Sequence, residues 1–401
     1  MVTEKVRFGV IGVGGMGSGH CGMIPKIPET ELTAVCDTNA ETLRKITEKH
    51  GIPGFATHTE LLESGLVDAV IIATPHYFHP PIAQDAFARG IHVMSEKPLA
   101  VTVSGADAMI AAAKASGKKF GVMYQMRTEP QNRAAKKLIE SGALGEIYRV
   151  NLVMGWYRSQ AYYDSGGWRA TWSGEGGGVL INQAPHFLDM FCWLGGLPSK
   201  ITAQTRTRLH NIEVEDEAFA FMEYPNGAHG YLYASTTEVP NTQRFELCGD
   251  KGKIMIDGSK LTFTTIDGGI REFTENSAEM WSSPKAGDNP VELLVEGEQK
   301  QHAWITQNFA RAILFDEPLL APGEEGMNAV ELIDGMILSG KTGKTVSVPV
   351  NRAEYDALLE ELKAGFPRQN EREGTARHRP EIRVGFRDRF GIDRIYRIVQ
   401  D

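Results

Sequence analysis

Three short stretches of this sequence hold side chains equipped for reaction chemistry. In "VMSEKPLAV" (93–101) an apolar run meets Glu96 and Lys97 and is stopped by Pro98. A lysine withdrawn from water gives up its proton more readily, so it can serve as a base or as the partner of a developing oxyanion. The plainer reading of these nine residues is a strand leaving the core, with Lys97 as a surface charge. In "GGGVLINQAPHFLDMFCWLGG" (176–196), His186 follows Asn182 by four residues and precedes Asp189 by three. On one helix these three would share a face, with the histidine placed to carry a proton.

The third stretch is "GVIGVGGMGSGH" (9–20), in which Gly12, Gly14 and Gly17 have G-x-G-x-x-G spacing. Gly12 permits a tight turn, Gly14 lets a pyrophosphate approach the backbone, and Gly17 lets helix and strand pack closely. The following helix would turn its free N–H groups toward the phosphates. Asp37 lies twenty residues past Gly17 at the end of the next apolar run. A carboxylate there accepts hydrogen bonds from an adenosine ribose and repels a 2′-phosphate, which favours NAD over NADP. The competing role for Asp37 is to cap a helix starting near Asn39.

The elements that must hold these groups follow from the hydrophobic pattern. Strand-length apolar runs recur at 6–12, 32–37, 68–74, 91–95 and 119–124, separated by helix-like stretches that end near Gly51, Gly90 and Gly117. That alternation predicts parallel βαβ units, hence a doubly wound Rossmann-type α/β domain over 1–128. Beyond about residue 146 the runs alternate in polarity, and "YPNGAHG" supplies an Asn-Gly hairpin signal. A second α+β domain, a mainly antiparallel open sheet with helices near 129–141, 179–195, 299–315 and 324–343, is expected over 129–366. The helix near 324–343 is expected to pack back on the first domain. Residues 367–401 form a basic tail, with nine arginines against six acidic residues from Arg368 onward.

Bulk composition narrows the function classes. The 401 residues, 42% hydrophobic and 23% charged, carry a formal charge of −9, which offers no general attraction to nucleic acid or anionic membrane. No apolar run approaches a membrane span, and the N-terminus lacks the order of a signal peptide. Cys21, Cys36, Cys192 and Cys248 are widely spaced, which argues against a zinc ribbon and for buried thiols in a reducing cytoplasm. No metal site is expected.

Taken together, "GVGGMG" (12–17, including Gly15 and Met16), "ATPHYFH" (73–79), "EKP" (96–98) and "GGGVLINQAPHFLD" (176–189) resemble the Gfo/Idh/MocA oxidoreductases. The resemblance runs over about residues 5 to 350. It implies that Lys97 lies beside the nicotinamide and the substrate hydroxyl, that Glu96 contacts the cofactor, and that His186 is the catalytic histidine. It also implies that Thr74, Pro75 and His79 line the nicotinamide side of the cleft and that Gln125 and Arg127 lie at the cofactor and subunit boundary. His79 could instead close the start of a helix. Many members carry aspartate where this chain has Asn182, and an amide orients an imidazole without stabilising its cation.

"GWYRSQAYYDSGGWRATWSGEGGG" (155–178) is rich in aromatic and polar residues, a composition suited to a polyol with apolar C–H faces and hydroxyl rims. Tyr163, Asp164, Trp168 and Arg169 are the expected substrate contacts, Arg169 also reaching the cofactor. A packed aromatic cluster at the domain junction is the alternative. The expected activity is hydride transfer between a secondary alcohol of a sugar, glycoside or cyclitol and NAD, with Lys97, His186 and Asn182 at the reaction centre. Two other activities fit the same motifs: a glycosidase that retains NAD and works by transient oxidation and elimination, and a non-catalytic dinucleotide-binding protein. A homodimer or homotetramer through the second sheet is expected, because that sheet leaves one face uncovered by helices.

Overall fold

The computed structural model describes residues 4–293 and 301–365, together with the backbone of 384–387 and 393–396. Two sheets share the compact unit that ends at Phe366. The first sheet comprises β1 (Val6–Ile11), β2 (Thr30–Cys36), β3 (Gly54–Phe55), β4 (Ala69–Ile72), β5 (His92–Ser95) and β6 (Phe120–Val122). All of its pairings are parallel, in the order β3-β2-β1-β4-β5-β6. The strands are apolar because both faces are covered, as the fully buried Ala69–Ile72 illustrates. Gly51 and Gly117 end the helices Ala40–His50 and Val103–Ser116 in the left-handed conformation. The strand order reverses between β1 and β4, which places a crevice at the carboxyl ends of β1, β4 and β5.

The second sheet comprises β7 (Ile147–Tyr157), β8 (Lys200–Arg206), β9 (Glu217–Glu223), β10 (His229–Ser235), β11 (Thr237–Gly249), β12 (Gly252–Asp257), β13 (Lys260–Ile266), β14 (Ala286–Asn289) and β15 (Val346–Ser347). Their order is β14-β13-β12-β11-β7-β10-β9-β8-β15. The sheet is mainly antiparallel, as expected, with one parallel pair, β7 and β10, at its centre. Parallel neighbours need a long connection, and the chain makes one between them by way of an aromatic loop, a helix and two further strands. Asn226-Gly227 forms the hairpin between β9 and β10, with Gly227 at φ +84°. One face of the sheet buries Val150, Leu152, Met154, Leu232 and Leu247.

Two helices connect this sheet to the crevice. The expected helix at 179–195 is two elements, a π-turn at Val179–Gln183 and an α-helix at Pro185–Gly195. Pro185 has no N–H to donate, so α-helical bonding cannot run through it unbroken. Gly323–Thr342 packs between the two sheets, and its buried Asp334 accepts from the Val103 amide at 2.8 Å. The helix expected from 299 begins at His302, the stretch before Gln301 lying outside the described residues. Most of the basic tail also lies outside them. Within it, the backbone of Val384–Arg387 pairs antiparallel with Asp393–Tyr396. Among the described residues no helix is long and apolar enough to cross a membrane.

Candidate active site

The glycine loop after β1 is shaped by backbone contacts. Gly12 has φ +84°, and a Cβ there would lie 2.8 Å from the Ala73 carbonyl oxygen. A Cβ on Gly17 would overlap the Gly12 carbonyl. Gly14 and Gly15 differ, since a Cβ on either meets no atom within 4 Å. They open the helix Gly15–Met23, whose first amides have no side-chain cap, and Met16 beside them is exposed. Asp37 stands at the end of β2 and turns back to this loop, accepting from the Val13 amide at 2.9 Å and the Asn39 amide at 2.8 Å. Asn39, not Asp37, caps the next helix through the Thr42 amide. Thr74, in contact range of Gly12, has a buried hydroxyl without a partner among the described residues. An open helix start, a carboxylate at the ribose position and an unused hydroxyl fit a dinucleotide.

The reactive groups gather at the end of β5. Glu96 is buried, with Oε1 2.7 Å from His20 Nε2 and Oε2 accepting from the Lys97 amide at 3.2 Å. Burial alone would raise its pKa, but His20 and Lys97 override that and hold it at about 2. Lys97 Nζ donates to the Asn182 carbonyl at 2.8 Å. Burial pushes this ammonium below its ordinary pKa against the pull of Glu96 and Glu175. His186 Nε2 lies 3.1 Å from the Gln125 amide nitrogen, and its Nδ1 has no partner among the described residues. Burial and the neighbouring Lys97 push His186 down to about 3, so it is a neutral imidazole. A cavity of about 530 Å³ opens beside it, lined by Gln125, Trp156, Phe187 and Arg244 among others.

Three hydrogen bonds tie the crevice to the π-turn and the loop before it. His76 Nδ1 lies 3.0 Å from the Glu175 carbonyl, the Tyr77 hydroxyl donates to the Trp172 carbonyl at 2.6 Å, and Lys97 holds Asn182 as above. Glycines allow this approach. Gly176 has φ +85° against Val101, and a Cβ on Gly178 would overlap the Glu215 carbonyl.

With that geometry in view, comparison with known proteins is decisive. Residues 6–124 match the oxidoreductase family with the NAD-binding Rossmann fold, and residues 132–255 match the GFO/IDH/MocA C-terminal domain. The chain belongs to the Gfo/Idh/MocA family. It is similar to the inositol 2-dehydrogenase of Rubrobacter xylanophilus, 31% identical over 193 residues, which are 48% of this chain and 52% of that one. It is also similar to the D-glucoside 3-dehydrogenase of Escherichia coli, 24% identical over 87% of this chain and 99% of that one. Among solved structures, the WlbA dehydrogenase of Bordetella pertussis in complex with NADH and UDP-GlcNAcA superposes with a TM-score of 0.73. It is 28% identical, covering 87% of this chain and all of that one.

Within this Gfo/Idh/MocA frame, Gly12, Gly14, Gly15, Gly17, Asp37 and Thr74 surround the open helix start, and Lys97, Asn182, Glu96, Gln125 and His186 converge at the end of β5. Pro75 opens the turn that carries His76. His79 is fully buried, with Nε2 2.9 Å from the Thr74 carbonyl and Nδ1 2.9 Å from the Pro98 carbonyl. Asn182 does not orient His186, because the π-turn aims its side chain at Glu175 and Gln183. Asp189 is likewise diverted, forming a buried bidentate pair with Arg127 at 2.9 and 2.6 Å.

The aromatic loop divides its expected contacts among different partners. Tyr163 is buried with its hydroxyl on Thr236, and Asp164 accepts from Gln160. Beside them, the Tyr162 hydroxyl accepts from Arg169 at 2.9 Å and from Gln183 at 2.7 Å. Arg169 also lies over the Tyr162 and Trp168 rings, and Trp168 meets His76 edge-on. His20, His76, Tyr162, Glu175 and Gln183 escaped the sequence reading. Glu175 and Gln183 had a visible signal, since they flank "GGGVLIN".

Proposed function

We propose that this protein is an NAD-dependent dehydrogenase of a secondary alcohol on a sugar, glycoside or cyclitol. The observation that carries the reading is Lys97, half-buried at the end of β5, with Nζ fixed on the Asn182 carbonyl in the same crevice as the open glycine loop. The named relatives act on an inositol and a D-glucoside, and the WlbA dehydrogenase was solved with a nucleotide sugar, so a polyhydroxylated ring is the common substrate element. When bound, NAD supplies the hydride acceptor.

The chain's own residues divide the remaining work. Lys97 takes the hydroxyl proton, because its pKa is lowered while two carboxylates still support its ammonium form. His186, held neutral, is a poor proton store, and its role is to accept a hydrogen bond that orients the hydroxyl. Asp37 favours NAD over NADP. The subunits associate through the outer face of the second sheet, where Phe221 is 62% exposed with Tyr231 packed beside it. A monomer by light scattering at micromolar concentration would contradict that assembly.

A screen of sugars, glycosides and inositols, followed by NADH absorbance, tests the activity. On whichever substrate is active, Lys97→Ala should lower kcat by about 10²-fold or more, the scale of lost general base catalysis, with far less change in NAD affinity. Near-normal kcat with weakened NAD binding would make Lys97 a cofactor ligand and overturn its assigned role.

A further inference from the structure

Glu175 is 1% exposed, and no lysine or arginine among the described residues bonds to its carboxylate. Its Oε2 accepts from the Ala170 amide at 2.6 Å, and its Oε1 accepts from the Asn182 side-chain amide. The same Asn182 offers its backbone carbonyl to Lys97 Nζ. A buried carboxylate and a half-buried ammonium thus flank one asparagine. A buried carboxylate is costly unless a cation lies close by, so a purely structural role would be served more cheaply by a neutral side chain. Ala170 adds a structural claim of its own, since its φ of +56° is one that non-glycine residues seldom adopt and Glu175 holds its N–H.

We propose that Glu175 is a positioning residue that keeps Lys97 competent as a proton acceptor, by stabilising the ammonium that forms when Lys97 takes the substrate proton. The proposal rests on the assigned role of Lys97. In the step concerned, the hydroxyl O–H bond breaks and an N–H bond forms on Lys97, and the new positive charge faces the Glu175 carboxylate. The other charged or titratable groups facing Lys97 are Glu96, His186, Arg169 and Arg158, with His76 and His302 also within its field. Those facing Glu175 are Arg169, Lys97, Glu215 and Tyr163. Glu96 is the stronger of the two carboxylates supporting the Lys97 ammonium, with its Oε1 shared with His20, and Glu175 is the second. Burial pushes Glu175 up to about 7 and pushes Lys97 down, and the charge of each opposes the shift of the other.

The test is the pH dependence of Lys97 labelling by a small amine-reactive reagent, read on the Lys97 peptide by mass spectrometry without NAD. Glu175→Gln should move the labelling midpoint to lower pH by about one unit, the smaller end of the effect of a nearby opposite charge. Combining Glu175→Gln with Asn182→Asp returns a single carboxylate to the cluster, and the midpoint should move back toward the parent's. A role confined to holding Ala170 would leave the midpoint alike in all three proteins, and that result overturns the proposal. If Glu175→Gln does not fold, the coupling is read from the other side. Lys97→Met should make the Glu175 carboxyl titrate at higher pH by infrared spectroscopy, and an unchanged titration overturns the proposal. A shifted midpoint in a protein that oxidises no polyol sinks the dehydrogenase reading and leaves the Glu175–Lys97 coupling standing. An unshifted midpoint in an active dehydrogenase does the reverse.

Discussion

Two glycine-rich segments, "GVGGMG" (12–17) and "GEGGG" (174–178), look alike in sequence and do opposite things. In the first, Gly12 and Gly17 let strand and helix close on each other, while Gly14 and Gly15 keep free space above the helix start. In the second, the glycines let protein approach protein. Gly174 lies against the Trp168 backbone, Gly176 against Val101, and Gly178 against the Glu215 carbonyl. The first segment makes room for a ligand, and the second seats a loop that carries Glu175 and Asn182 to Lys97. Glycine content alone does not separate the two; what surrounds the missing Cβ does.

That contrast orders three expectations. The largest effect should come from Gly178→Ala, whose methyl would overlap the Glu215 carbonyl, a backbone atom that cannot swing aside. Denaturant unfolding should show a loss of about 3 kcal/mol or more. A stability within experimental error of the parent would mean that the second segment is slack. Gly14→Ala should do the reverse. Its methyl meets no protein atom, so the melting temperature without NAD should move by less than about 2 °C. NAD binding, measured by calorimetry, should weaken about tenfold or more, because the methyl occupies the pyrophosphate approach. Unchanged NAD affinity would remove the cradle role.

The smallest effect belongs to Asp37→Ala. Losing ribose hydrogen bonds while relieving repulsion of a 2′-phosphate should reduce the preference for NAD over NADP by about five- to tenfold. Some stability should go with it, since Asp37 also accepts from the Val13 and Asn39 amides. Comparable dissociation constants for the two cofactors in the unmutated protein would show that Asp37 serves only the loop.

Much of the first sheet was legible in the sequence because its signals are local. A fully buried parallel strand must be apolar, and a positive-φ turn at Gly12 asks for glycine without reference to distant residues. The aromatic loop offered no such signal. Gln160–Tyr163 is a single helical turn that rotates successive side chains by about 100°, so Tyr162 and Tyr163 face different neighbours. Composition marked Tyr163 as a contact, whereas packing turns Tyr162 to Arg169 and Gln183 and Tyr163 to Thr236.

The residues gathered at the end of β5 divide in the same way. Glu96, Lys97 and His186 could be found from their motifs, since the strand edge and the crevice follow from chain order. The partner of Asn182 could not. A helix through 179–195 would have turned its amide toward His186, but the π-turn ahead of Pro185 redirects it to Glu175. Lys97 meets the Asn182 carbonyl across 85 residues of sequence. Spacing along a chain predicts which side chains share a helix face, and it carries no information on how two separately folded segments meet. The charges that set the protonation of Lys97 arise at that meeting, where burial and distance, not sequence order, fix their strength.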